Sequence, residues 1–114
     1  MTLFQFFLII CLVESGGNPH AIGNSGEFGA AQIMPIMMRD FNRISNNNYP
    51  HEWAFCEEIS FEVFETVLRH YEPEALNQLD FEVMAKFWNG GPKWREKNLE
   101  NYWKKVLTLI KKHE

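Results

Sequence analysis

The chain has 114 residues, of which 46% are hydrophobic and 15% aromatic. These values exclude a disordered or low-complexity chain and fit one domain, residues 1–114, with a single hydrophobic core. The formal net charge of −4 argues against nucleic acid as a partner, because phosphate binding needs a basic surface.

The first residues, MTLFQFFLIICLVES, form the most apolar segment of the chain. They resemble a secretory signal only superficially, because no basic residue starts the segment and no small-x-small cleavage site ends it. Leu8 and Cys11 have the spacing of a lipoprotein signal, but Ile10 stands where that signal has a small residue. The apolar stretch is also too short to span a bilayer. We therefore predict a helix over 2–14, buried at the centre of the domain.

The remaining segments alternate between helical spacing and helix-breaking residues. Gly16 and Gly17 end the first helix, and residues 15–29 form a loop rich in Gly, Asn and Ser. Asp80 and Asn98 are candidate N-caps for the last two helices. Further helices are predicted over 33–44 (with a break or a start at Pro35), 57–71, 73–79, 81–89 and 98–112. Without a strand-period segment, the sequence predicts an all-α fold of five or six helices.

Two cysteines and four histidines limit the metal and redox chemistry. Cys11 lies in the apolar helix, where a free thiol behaves as a small hydrophobic residue. The sequence leaves open whether Cys11 pairs with Cys56. The histidines are scattered, with no HExxH and no Cys/His cluster, so we expect no metal and no cofactor.

Glu14 stands alone at the end of the apolar helix. No charged side chain precedes it, and the next one, Glu27, is thirteen positions later. Desolvation raises the pKa of such a carboxyl. An acid that is protonated near neutral pH is what general acid catalysis of glycoside cleavage requires. The alternative interpretation is a helix-end residue whose carboxylate reaches solvent.

Three blocks of sequence add to the interpretation of this acid. They are VESGGNPHAIGNSGEFGAAQIMP (13–35), a segment ending in FWNGGP (83–92) and a closing segment with YWKKV (101–106). In this order they resemble the lytic transglycosylase and goose-type lysozyme superfamily. The family's pattern is E-S, N-P-x-A, G-x-x-G-x-x-Q-I-x-P, a Y-N-x-G-P segment and a closing Y-V-x-K-V. The resemblance implies a lysozyme-like fold with a groove for the glycan strand of peptidoglycan.

The same resemblance assigns roles to residues. It implies that Glu14 is the catalytic residue, first as general acid and then as base. Ser15 would lie beside the N-acetyl group of the sugar, and Asn89 and Tyr102 would face Glu14 from the opposite side. The implied substrate-binding residues are Ser15, Gly29, Ala31, Gln32, Trp88, Asn89 and Tyr102.

Several of these residues have structural alternatives. Gln32 could cap its helix, Asn89 could occupy a left-handed turn position, and Trp88 could belong to the core. Trp88 also departs from the family pattern, which has a Tyr whose hydroxyl bonds the catalytic acid, so Tyr102 is the candidate for that contact.

A second departure lies in the loop that precedes the second helix. Ala30 and Ala31 stand where the family has Leu-Met. Because alanine side chains are much smaller, this pair predicts a roomier groove floor at that point. Gly26 and Gly29 would let the backbone approach a ligand closely there.

The single matching acid favours lytic transglycosylation over hydrolysis, because ordinary glycosidases use two carboxylates. In that scheme the acetamido group and C6 hydroxyl of the substrate replace the nucleophile and the water, and 1,6-anhydro-muramyl ends form. Hydrolysis of the same β-1,4 bond, between N-acetylmuramic acid and N-acetylglucosamine, is the alternative, with Glu27 as a candidate second catalytic group. A non-catalytic glycan-binding or virion structural module is the alternative of another class.

These interpretations define the expected setting. We expect a monomer that acts on peptidoglycan glycan strands at the bacterial cell wall, in the periplasm or outside the cell. We expect no nucleic-acid partner and no membrane insertion. A small catalytic domain without a convincing export signal suggests a phage lysis enzyme made in the host cytoplasm, or a piece of a longer protein.

Overall fold

The computed structural model describes residues 1–114 as six α-helices around one core. The helices are α1 (Leu3–Ser15), α2 (Pro35–Ser45), α3 (Glu57–Tyr71), α4 (Pro73–Gln78), α5 (Phe81–Gly90) and α6 (Glu100–Lys112). Short 3₁₀ helices occupy His51–Phe55 and Trp94–Glu96. There is no strand, only isolated bridges within the loop after α1. The predicted all-α fold of five or six helices is confirmed.

The helix ends follow most of the predicted signals. α2 begins at Pro35, whose fixed φ suits the first helical position. Asp80 caps α5, because its carboxylate accepts a hydrogen bond of 3.2 Å from the Val83 N–H. The predicted cap of α6 was wrong by one residue. Leu99 is the N-cap, although the side-chain Oδ1 of Asn98 still accepts a 3.2 Å hydrogen bond from the Glu100 N–H, the first of the helix.

α1 is buried on one side only, which corrects the expectation of a central helix. It contacts α3 and α6, and its buried residues are Phe6, Phe7, Ile9, Ile10 and Cys11. Phe4, Leu8 and Leu12 remain 40%, 36% and 41% exposed. Because every face of this sequence is apolar, the pattern did not reveal which face would be uncovered. Neither α1 nor any other helix has the length and apolar composition needed to cross a membrane.

Both cysteines are free. Cys11 is buried in the core, and this burial raises the pKa of its thiol to about 12. The thiol therefore keeps its proton and packs as a small hydrophobic group, as expected from its place in the sequence. Cys56 is exposed at the start of α3, where its thiol donates a 3.1 Å hydrogen bond to Glu58.

The loop between α1 and α2 is folded tightly onto the first 3₁₀ helix. Gly29 donates its N–H to the Ala21 carbonyl at 2.9 Å, and the Phe28 ring stacks on His51 at 4.0 Å. Gly29 has φ +83°, and a Cβ there would lie 2.1 Å from the Ala54 carbonyl oxygen. Only glycine fits this close approach. The loop is thereby held against the domain at the end of α1, beside Glu14.

Candidate active site

Glu14 and Tyr102 are joined across the first and last helices. The Tyr102 hydroxyl donates a hydrogen bond of 2.7 Å to Glu14 Oε2. Tyr102 lies in the first turn of α6, whose residues Val106 and Ile110 are buried in the core. Burial, with the adjacent Glu14 charge, raises the pKa of Tyr102 far above its usual range. The phenol therefore keeps its proton and can act as the donor of this pair.

Three effects set the proton affinity of Glu14. Burial is the largest and raises the pKa, because it disfavours the ionised form. The hydrogen bond from Tyr102 lowers the pKa, since it stabilises the carboxylate, and the nearby charge of Glu27 raises it. The result is a pKa above that of an ordinary glutamate. Glu14 thus keeps its proton to higher pH, as a general acid must.

A cleft of about 730 Å³ opens beside Glu14 and is called the active-site cleft below. Its volume falls in the usual range of roughly 300–1,000 Å³ for ligand pockets. Residues from α2 form one wall, and the end of α5 with the turn that follows it forms another. The residues from the sequence analysis that line it are Glu14, Glu27, Gln32, Trp88 and Asn89.

Three consecutive backbone carbonyls in the loop fasten three of the implied site residues. The pairs are Ser15 Oγ with Ala30 O at 2.7 Å, Gln32 Nε2 with Gly29 O at 3.0 Å, and Trp88 Nε1 with Ala31 O at 3.1 Å. Gly29 and Ala31, which were expected to line the groove, are instead buried behind it. This backbone segment supports the site from within the protein.

Ser15 is also engaged inside the protein. Besides its bond to Ala30, its hydroxyl oxygen accepts a 3.1 Å hydrogen bond from the Asn18 N–H and lies 3.2 Å from the Cys11 carbonyl. Ser15 is not among the residues that line the active-site cleft. Ser15 thus fixes the loop to the end of α1, and its place beside the N-acetyl group of the sugar stays a prediction.

Gln32 does not cap a helix. The N-cap of α2 is Met34, which makes no side-chain capping bond. Gln32 instead has φ 55°, a left-handed conformation that is uncommon outside glycine and clusters at functional sites. Its backbone N–H and its Nε2 both donate to the Gly29 carbonyl at 3.0 Å. The amide is therefore fixed by its nitrogen, and Oε1 is left without a partner.

The α5 residues behave differently from one another. Asn89 is helical rather than left-handed, and its exposed side chain makes no hydrogen bond within the chain. Trp88 is 7% exposed, and its ring lies 4.9 Å from that of Phe64, so it is both core and cleft wall. Tyr102 lies behind Glu14 and does not line the cleft.

α2 contributes charged residues to the cleft that the sequence analysis did not assign. Arg39, Asp40 and Arg43 all line it. The Asp40 carboxylate accepts hydrogen bonds of 2.6 Å from the Tyr71 hydroxyl and from Arg43. Partial burial favours a higher pKa, but these bonds outweigh it and hold the pKa of Asp40 below its ordinary value. The helical spacing after Pro35 was the available signal, since positions 36, 39, 40 and 43 share one face.

Besides these charged side chains and Glu27, the cleft holds an acid with a raised pKa on Glu14, a hydrogen-bond acceptor on Gln32, an amide on Asn89 and the indole of Trp88. No three of the chain's His, Cys, Asp and Glu side chains come together as a metal-ligand group. Proton donation to a bound substrate is the chemistry that this set can perform.

A family model described as the transglycosylase SLT domain matches residues 2–106, from α1 into α6. No match was found among curated proteins or among solved structures. Members of the SLT family act on the glycan strands of peptidoglycan. The chain is therefore a member of the SLT transglycosylase-domain family, with its all-α, lysozyme-like fold.

Proposed function

We propose that this chain is a lytic transglycosylase that cleaves the β-1,4 bond between N-acetylmuramic acid and N-acetylglucosamine in peptidoglycan. Residues 1–114 would be its catalytic domain, acting as a monomer at the bacterial cell wall. The observation that carries the proposal is the environment of Glu14. Its carboxyl has a raised pKa, a hydrogen bond from Tyr102 and access to the cleft. Membership of the SLT family supports the same reaction class.

In the first step, the Glu14 proton passes to the glycosidic oxygen while the bond between that oxygen and C1 of the muramic acid breaks. The departing N-acetylglucosamine takes the electron pair of the bond. Positive charge develops at C1, and the acetamido oxygen of the same sugar attacks it. Glu14 is left ionised, and the Tyr102 hydroxyl at 2.7 Å stabilises the carboxylate.

In the second step, the C6 hydroxyl of the muramic acid attacks C1 and the acetamido oxygen leaves. The hydroxyl proton returns to Glu14, which is then ready for another cycle. The product is a 1,6-anhydro-muramyl end, and no water is consumed. One residue thus acts as acid and then as base, which requires a proton affinity between those of a free glutamate and a sugar hydroxyl.

Hydrolysis by the same site is the second candidate. The observation that favours it is a further carboxylate in the cleft, because Glu27 lines it together with Glu14. An inverting glycosidase uses a second carboxylate to activate water on the opposite face of the sugar. In that case the product would carry a free reducing end.

Digestion of purified peptidoglycan distinguishes the candidates. The wild-type chain is incubated with insoluble wall, and the released muropeptides are separated and weighed by mass spectrometry. We expect products that end in anhydro-muramic acid. Products heavier by one water would assign the chain to the hydrolases, and the absence of any cleavage would leave a glycan-binding or structural module.

A further inference from the structure

Two side chains that end in acceptor oxygens are neighbours along the active-site cleft. Glu27 and Gln32 both line the cleft with Glu14. A Cβ added to Gly23 would lie 2.6 Å from Glu27 Oε1 and 2.6 Å from Gln32 Oε1. The ends of the two side chains therefore lie together over Gly23, with Glu27 Oε1 already bonded within the loop. The absence of a side chain at position 23 leaves room for both.

Each of the two side chains is fixed from behind by a single bond. The Ser25 N–H donates to Glu27 Oε1 at 2.7 Å. Gln32 Nε2 donates to the Gly29 carbonyl at 3.0 Å, so the Gln32 amide cannot turn its nitrogen toward the cleft without losing this bond. Glu27 Oε2 and Gln32 Oε1 make no hydrogen bond within the chain, and Glu27 forms no ion pair.

The two unbonded oxygens, Glu27 Oε2 and Gln32 Oε1, can only accept hydrogen bonds. Carboxylate and amide oxygens bind O–H and N–H donors, and a bond to an ionised acceptor is about twice as strong as a neutral one. A sugar carries such donors on its hydroxyls and on its acetamido N–H. The same two oxygens would repel a ligand group that presents only acceptor oxygens, such as a carboxylate.

We propose that Glu27 is a substrate-binding residue that, together with Gln32, accepts hydrogen bonds from the hydroxyl and acetamido donors of the sugar bound beside Glu14. The proposal rests on the proposed function and deepens it, because it names the donor groups that the site selects. The hairpin-like fold of the loop supports it, since the Gly23 N–H donates to the Glu27 carbonyl at 2.8 Å and holds the residue in place.

Binding of tri-N-acetylchitotriose to the Glu14→Gln protein, measured by calorimetric titration, tests the proposal without cleavage. Glu27→Gln is then added. Because the Ser25 N–H retains the oxygen of the new amide, the amide nitrogen takes the place of Glu27 Oε2 and presents a donor to the donors of the sugar. We expect the dissociation constant to rise at least about tenfold. Glu52→Gln is the matched control, since Glu52 is exposed, lies outside the cleft and makes no hydrogen bond.

A second variant keeps the test independent of Glu27 itself. Gly23→Ala, added to the Glu14→Gln parent, places a methyl group 2.6 Å from one oxygen of each side chain and so displaces both. We expect it to weaken binding as well, with the helical content unchanged. Equal dissociation constants for the parent and Glu27→Gln, or no binding by the parent, overturn the proposal. If binding to the Glu14→Gln parent depends on Glu27 but the wild-type chain does not cleave peptidoglycan, the proposed function alone is refuted.

Discussion

Tyr102 on the last helix donates a 2.7 Å hydrogen bond to Glu14 on the first, across 88 positions of the chain. The last helix therefore helps to set the proton affinity and the orientation of the acid. Because a donor to the carboxylate favours the ionised form, this bond lowers the pKa of Glu14 while burial raises it. The two opposing effects make the pair a direct test of the catalytic assignment.

Tyr102→Phe should raise the pKa of Glu14 further, because it removes the bond that lowers it. Activity is lost at high pH when Glu14 loses its proton, so the alkaline limb of the pH profile of kcat/KM should move to higher pH. The activity near neutral pH should fall about tenfold, as expected when a charged hydrogen bond that orients a group is lost. The measurement is the initial rate at which a suspension of purified peptidoglycan loses turbidity, recorded across pH.

Tyr49→Phe is the control for this experiment. Tyr49 also donates its hydroxyl to a glutamate, Glu62, at 3.0 Å, but neither residue lines the cleft. Its alkaline limb should coincide with that of the wild type. An alkaline limb of Tyr102→Phe that stays in place or moves to lower pH would contradict the role given to Tyr102.

Glu14→Gln should increase the stability of the protein at pH 8. Burial raises the pKa of Glu14 in the folded chain above its unfolded value, so the folded state prefers the protonated acid. The stability that Glu14 contributes is complete below the unfolded pKa and falls as pH rises through the folded pKa. Glutamine is neutral throughout, so the Tm difference should be present at pH 8 and disappear near pH 4.

Thermal unfolding of both proteins across this pH range provides the measurement. Glu52→Gln again serves as the control, since it changes an exposed carboxylate outside the cleft, and it should produce no such pH-dependent gain. A Glu14→Gln protein that is less stable than the wild type at pH 8 would show that the Glu14 carboxylate stabilises the fold.

Trp88→Phe should lower the free energy of unfolding by about 2 kcal/mol or more, because the Ala31 carbonyl loses its donor in a buried place. The smaller ring would also leave space beside Phe64. Chemical denaturation measures the change. Trp53→Phe is the matched control, since Trp53 is 46% exposed and its Nε1 has no partner, and it should change stability by less than about 0.5 kcal/mol. An equal loss of unfolding free energy in the two variants would contradict a stabilising role for the hydrogen bond from Trp88 to Ala31.

The sequence predicted the helices and the pairing of its distant blocks because these depend on local spacing and ordered motifs. Asp80 caps its helix as expected, and Glu14 accepts a hydrogen bond from Tyr102 of the last block. The exposed face of α1 was not predictable, since a helix that is apolar on every side gives no pattern that separates a buried face from an exposed one. The rotation of α2, which brings Arg39 and Asp40 into the cleft, depends on packing against other helices.

The loop around Gln32 was the least predictable part of the site. Its motif indicated that glycines allow close approach, but the directions of its carbonyls depend on a left-handed backbone at a residue that is not glycine. This geometry turns Ala31 toward Trp88 and Ala30 toward Ser15. Ser15 and Trp88 are thereby bonded to the loop backbone, and Gln32 keeps its Oε1 as an unbonded acceptor.

The rate at which Glu14→Gln releases soluble muropeptides from purified peptidoglycan tests the central claim most directly. The variant keeps the size of the side chain and removes the proton that the mechanism transfers. The account predicts a loss of at least about a hundredfold relative to wild type and to Glu52→Gln, in a protein that unfolds at the same or a higher temperature. Release at the wild-type rate would contradict the assignment of Glu14 as the catalytic acid.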